Sequence, residues 1–98
     1  MAVVSIAGID VDGLHLTVGG LVTLVAEDGG TCEFELTSVV SGAKVDAQAH
    51  GVANGTNTSC GSMQIPVSQL SRGSWNVALR YTSARLELTS DSTPVEVP

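Results

Sequence analysis

The chain has 98 residues and a formal net charge of −6, with Lys44, Arg72, Arg80 and Arg85 as its only strong bases. So few cations, without a basic stripe, argue against binding a nucleic-acid backbone or an anionic membrane surface. Hydrophobic residues make up 43% but aromatics only 3%, so the core must be built mainly from Val, Leu, Ile and Ala, a composition suited to strands.

In chain order, Val3 to Ile9 reads as a first strand, ended by the Val11-Asp12-Gly13 turn signal. Leu14, Leu16 and Val18 alternate with His15 and Thr17 in a second strand that is expected to stop at Gly19-Gly20. Leu21 to Glu27 is predicted as a third strand, with Asp28-Gly29-Gly30 turning it back into a fourth at Thr31 to Ser38. On the fourth, Cys32, Phe34 and Leu36 face inward while Glu33 and Glu35 face outward.

Lys44 to His50 alternates with a small inward face and reads as a thin edge strand guarded by charge. Gly51 to Asn57 is expected to be a loop. Thr58 to Val67 is another strand, with Cys60, Met63 and Ile65 as core candidates, and Pro66 places its end at an edge or outside the sheet.

The most legible stretch is Leu70 to Leu88. Trp75, Val77, Leu79 and Tyr81 occupy every second position, the period of a half-buried strand. After Thr82-Ser83, Leu86 and Leu88 resume the alternation. The tail, Asp91 to Pro98, carries Pro94 and a Val95/Val97 alternation, which suits a last edge strand or a docked extension. The predicted core comprises Leu16, Phe34, Leu36, Ile65, Trp75, Val77, Leu79, Tyr81, Leu86 and Leu88. Seven or eight short strands with no helical period predict one all-β domain over residues 1–98, an antiparallel sandwich that the resemblance given below makes immunoglobulin-like.

Candidate chemistry is sparse. Asp10, Asp12 and Gly13 open like a calcium loop but lack its later ligands, so a turn is the expectation. His15, His50 and Asp46 are metal-competent types on outward strand positions, where solvated side chains are the ordinary case. No nucleophile elbow or phosphate loop is present. Glu33 and Glu35 read as an exposed acidic stripe, and Asn54-Gly55-Thr56 and Asn57-Thr58-Ser59 as sequons in a polar loop. Cys32, sharing a face with Phe34 and Leu36, reads as a buried thiol. A single bridge to Cys60 is the alternative, requiring Cα atoms about 6 Å apart. The expectation is a non-enzyme with no catalytic residue, metal or cofactor.

Two segments, with the Asp28-Gly29-Gly30 hairpin expected between them, resemble a known build. Asp12-Gly13-Leu14-His15-Leu16 and Ile65 to Val77, containing Leu70-Ser71-Arg72-Gly73-Ser74-Trp75-Asn76-Val77, resemble immunoglobulin-like sandwich modules of bacteria and their phages. The resemblance extends to small decoration proteins on tailed-phage capsids and to accessory sandwiches of actinobacterial glycosyltransferases. It implies a virion-surface protein that docks on and reinforces a shell, made in the host cytoplasm. The alternative it implies is a carbohydrate-binding or oligomerising accessory domain of a bacterial cytoplasmic or envelope-associated enzyme. A protein partner, either a shell or a second copy, is expected, with Ala2, Val3, Val4, Ile6, Pro94, Val95 and Val97 as docking residues.

Overall fold

The computed structural model describes every residue from Met1 to Pro98 and contains nine strands. They are β1 (Ala2–Ile9), β2 (His15–Val22), β3 (Thr31–Ser38), β4 (Lys44–His50), β5 (Val52–Asn54), β6 (Asn57–Pro66), β7 (Gly73–Thr82), β8 (Glu87–Thr89) and β9 (Thr93–Val97). A single 3-10 turn, Val67–Gln69, links β6 to β7. Two antiparallel sheets pack face to face as a β-sandwich. The first has the order β1-β2-β6-β5, and the second β4-β3-β7-β8, with β9 also on β7. β8 pairs with Arg80–Thr82 and β9 with Gly73–Val77, so the two share one side of β7 in succession.

The core follows the period-2 pattern. Cys32, Phe34 and Leu36 on β3 and Trp75, Val77, Leu79 and Tyr81 on β7 are buried, and face Leu16, Val18 and Val22 on β2 with Ile65 on β6. The Trp75 ring seals one end of the sandwich, its indole N–H donating to the Ser71 carbonyl at 2.8 Å. Leu86 and Leu88 are only partly buried, packing on the rim of the core, because β8 is three residues long at a sheet edge. Leu14, predicted to begin the inward series, is exposed in the β1–β2 turn.

Three features differ from the sequence expectation, each for a steric or topological reason. The Gly19-Gly20 pair does not end β2, which runs through it to Val22. A Cβ on Gly20 would lie 2.6 Å from the Val3 carbonyl oxygen and 2.8 Å from a Leu79 methyl, and one on Gly19 would lie 2.7 Å from an Ile6 methyl. These glycines admit close approach; they do not make a turn. No separate strand forms over residues 21–27, and Asp28-Gly29-Gly30 does not close a hairpin, because β2 and β3 belong to different sheets. Within the crossing segment, Leu24 is exposed and adopts φ 63°, a left-handed conformation unusual for a branched side chain. Lastly, part of the loop predicted at Gly51 to Asn57 pairs as β5, with Val52 opposite Ser59 and Asn54 opposite Asn57. The expected thin edge strand at Lys44 to His50 is present as β4.

Cys32 and Cys60 are joined in a disulfide with Cα atoms 5.8 Å apart. The bridged alternative therefore replaces the buried free thiol. It fastens β3 of the second sheet to β6 of the first across a sequence separation of 28. A register shift between Gly20 and Leu21, with Gly61 at φ 66°, bulges β6 beside Cys60. That bulge is how Cys60 and Met63, three positions apart, both reach the inner side.

Candidate docking surface

The strands of the first sheet, AVVSIAGI, HLTVGGLV, VAN and NTSCGSMQIP, contain no Asp, Glu, Lys or Arg. On its outer side Val3 stands opposite Leu21, Leu21 opposite Ser59 and Ser59 opposite Val52, a row crossing all four strands. Ile6, half exposed, lies over Gly19 beside that row. The second sheet carries Glu33, Glu35, Lys44, Asp46, Arg80, Glu87 and Glu96 on its strands. Arg80 meets Glu87 at 3.4 Å, and Gln48 donates to Glu33 at 3.1 Å. One broad face is charged and predominantly acidic, and the other has no formal charge on its strands.

The residues predicted for docking divide along this geometry. The structure brings the N-terminal segment and the tail to the same side of the sandwich, since β1 and β9 are neighbouring edges of opposite sheets. Ala2, Val95 and Val97 are buried and belong to the core, so their side chains offer no partner surface. Val4 packs partly against the core, whereas Val3 and Ile6 point outward. Pro94 pairs opposite Asn76 on β9, where its missing N–H suits a sheet edge. Between the two edges is an open cleft of about 210 Å³, lined by Met1 to Val4 and by Ser90, Asp91 and Thr93.

The metal-competent residues do not assemble as a set. His50 and Asp46 sit on β4 of the second sheet, His15 on β2 of the first. His15 instead comes within 4.8 Å of Asp10 and Asp12 at the β1–β2 turn. The Asp10 carboxylate accepts bonds from the Thr17 hydroxyl at 2.5 Å and the Gln64 amide at 3.1 Å. Asp12 accepts the Leu14 N–H at 2.8 Å and lies 3.8 Å from His15 Nδ1. Gly13, at φ 72°, completes the expected turn. Glu33 and Glu35 lie on the outer side of β3, as expected of a stripe.

Comparison with protein-family models, curated proteins and solved structures finds no match to the chain.

At the end of the sandwich opposite Trp75, the segment crossing between the sheets makes a polar seal. The Tyr81 hydroxyl donates to a Glu27 carboxylate oxygen, and Arg85 approaches the other at 3.8 Å. The buried Thr58 hydroxyl donates to the Val25 carbonyl at 2.6 Å and accepts the Glu27 N–H at 3.2 Å. Burial, then the bond to Glu27 and its charge, push the Tyr81 phenol up to about 12. The Tyr81 bond, helped by Ser83 and Arg85, holds the Glu27 carboxyl below its ordinary range. No buried side-chain polar atom lacks a partner, so this network is a closed structural unit.

Sequence reasoning missed the uncharged face, although its signal was there. Residues 1–9, 13–26 and 51–71 contain no Asp, Glu, Lys or Arg, and the fold gathers the strands within these segments into one sheet.

Proposed function

We propose that the chain is a non-catalytic structural module that acts through its uncharged sheet face, as a decoration protein docking on the outside of a phage capsid shell. The observation that carries this reading is the division of charge between the two broad faces. A partner meeting the first sheet over Val3, Leu21, Ser59 and Val52 desolvates no formal charge, since the carboxylate on that side, Asp10, lies at the other end against Thr17 and Gln64. Desolvating unpaired charge is a large cost of burying a surface. Repeated copies on a symmetric shell then add weak contacts through avidity.

Two further features support it. The order β1-β2-β6-β5 corresponds to the A-B-E-D sheet of immunoglobulin-type sandwiches when β4 is counted as an added C′ strand, which agrees with the build to which the sequence shows a resemblance. An inter-sheet disulfide suits a molecule that works in an oxidising setting such as a virion surface. Phe34, Trp75 and Tyr81, the chain's only aromatics, are all buried, which leaves no aromatic platform for stacking on a sugar ring and favours a protein partner.

The test is co-sedimentation with purified tailed-phage shells, with soluble cell-wall polysaccharide as the second arm. Saturable binding to shells is expected, and Val52→Glu, which places a carboxylate on the exposed part of the uncharged face, should abolish it without changing the melting temperature. Binding to polysaccharide alone, or shell binding indifferent to Val52→Glu, overturns the proposal.

A further inference from the structure

The sandwich has several lateral edges, and they are not equally protected. β4 carries Lys44 and Asp46 on its outward positions. β5 and β8 are three residues long, and β9 carries Pro94 and Glu96. Charge, brevity and proline are the ordinary means of keeping an edge from pairing with another chain. β1 is eight residues long, uncharged, proline-free and paired on one side only, with a bulge at Ser5 as its single irregularity.

The ladder shows which of its backbone groups are free. Met1 and Thr23 exchange bonds in both directions, and the Asp10 N–H donates to the His15 carbonyl. Alternating inward from those two ends, Ala2, Val4, Ala7 and Ile9 are the positions whose N–H and C=O point away from β2. The cleft beside Ser90, Asp91 and Thr93 opens along the first part of this free edge.

From this geometry we infer that β1 is a self-pairing edge: two copies of the chain join antiparallel through β1, with Ala2 opposite Ile9 and Val4 opposite Ala7 of the second copy. This inference rests on reading the chain as an interaction module and names the contact it makes with itself. The free positions are symmetric under reversal, so every outward donor and acceptor of one copy meets one of the other, as a twofold axis requires. The two Ser5 bulges then face each other across the axis region and not a regular strand. Val3 falls opposite Gly8, where no heavy atom lies within 4 Å of a Cβ position, so its side chain meets open space. Charge selects the same contact. Two chains of net charge −6 repel, and β1 is the long edge at which they meet without opposing carboxylates within the strand. The joined first sheets form one continuous surface of eight strands without a charged strand residue, twice the area available to a shell, with each copy's Asp10 held at its end by Thr17 and Gln64. In this register Asp10 falls opposite the terminal ammonium of the second copy's Met1, so the repulsion that salt screens is that between the −6 net charges of the two chains, and the pairing strengthens with salt.

Sedimentation equilibrium of the isolated chain from micromolar to millimolar concentration tests this. The expected result is a monomer–dimer equilibrium that tightens with added salt. Ala7→Pro removes an outward donor from each copy without touching the β1–β2 ladder, and should weaken association roughly tenfold or more. Amide exchange on the unmodified chain gives an independent readout: Val4, Ala7 and Ile9 should be protected at high concentration and unprotected at low. A chain that stays monomeric throughout, a dimer that survives in folded Ala7→Pro, or amides indifferent to concentration each overturn the inference. These measurements use the chain alone, so a failure to bind shells leaves them unaffected.

Discussion

Removing the Cys32–Cys60 bridge, in a Cys32→Ala/Cys60→Ala variant, isolates the covalent link between the two sheets. The closed loop spans a separation of 28 residues. On the chain-entropy relation, a loop of that length removes about 12 cal/mol/K from the unfolded ensemble, or roughly 3.6 kcal/mol at room temperature. The side chains are buried among aliphatic neighbours, so loss of the two sulfurs adds a small packing penalty in the same direction. With about 2.1 cal/mol/K of unfolding entropy per residue, the 98-residue chain should lose roughly 17 °C in melting temperature. Scanning calorimetry of the oxidised protein and the variant measures this. Thiol titration of the unmodified chain in denaturant without reductant should find no free thiol. Two reactive thiols, or a melting temperature lowered by less than about 5 °C, would refute the claim that the bridge ties the sheets together.

The remaining predictions concern the two ends of the core. Trp75→Ala should destabilise by roughly 3–5 kcal/mol in urea unfolding, the usual cost of emptying a large aromatic site, while Ala78→Ser on the opposite side of β7 should change little. Gly30→Ala places a methyl where the Tyr81 ring and hydroxyl now lie, so the ring must move and its bond to Glu27 break. A loss of about 1–3 kcal/mol is expected, and a neutral result would show that the ring is not held there. The Tyr81 phenol is pushed up to about 12 from an ordinary value of 10, so the folded state holds its proton more tightly than the unfolded chain. Its contribution is complete below pH 10 and is lost as the pH rises from 10 towards 12. The tyrosinate absorbance of this single-tyrosine chain should therefore rise near pH 12, or together with unfolding. A rise near pH 10 in the folded protein would contradict the burial. Glu27, held low, contributes above its ordinary value of 4.5 and loses that contribution as the pH falls through its folded value. Acid unfolding of Glu27→Gln should accordingly be shallower in that range.

Much of this molecule was legible from local pattern. The period-2 series at Cys32-Phe34-Leu36 and Trp75-Val77-Leu79-Tyr81 specified two central strands and their buried sides, because alternation in a strand is a geometric consequence of the backbone and needs no partner to be read. The Asp12-Gly13 turn was equally local, since a glycine at positive φ and an Asp side chain capping Leu14 N–H suffice to make it. The segments without charge were visible too, but not that three of them would lie in one sheet.

Tertiary structure decided what depends on residues distant in the chain. Gly19-Gly20 has the composition of a turn, and only the Val3 carbonyl and the Leu79 and Ile6 side chains pressed against it make it part of a strand. Asp28-Gly29-Gly30 has the composition of a hairpin, yet it lies in a crossing between sheets because β3 finds its partners in β4 and β7. Whether two cysteines 28 residues apart are bridged turns on a distance between sheets, which no local preference encodes. Backbone torsions and side-chain periodicity act over a few residues and were therefore readable in the sequence. The pairing of edges, the bridge and the separation of charged from uncharged faces arise from contacts between remote segments, and exist only once the sheets have packed.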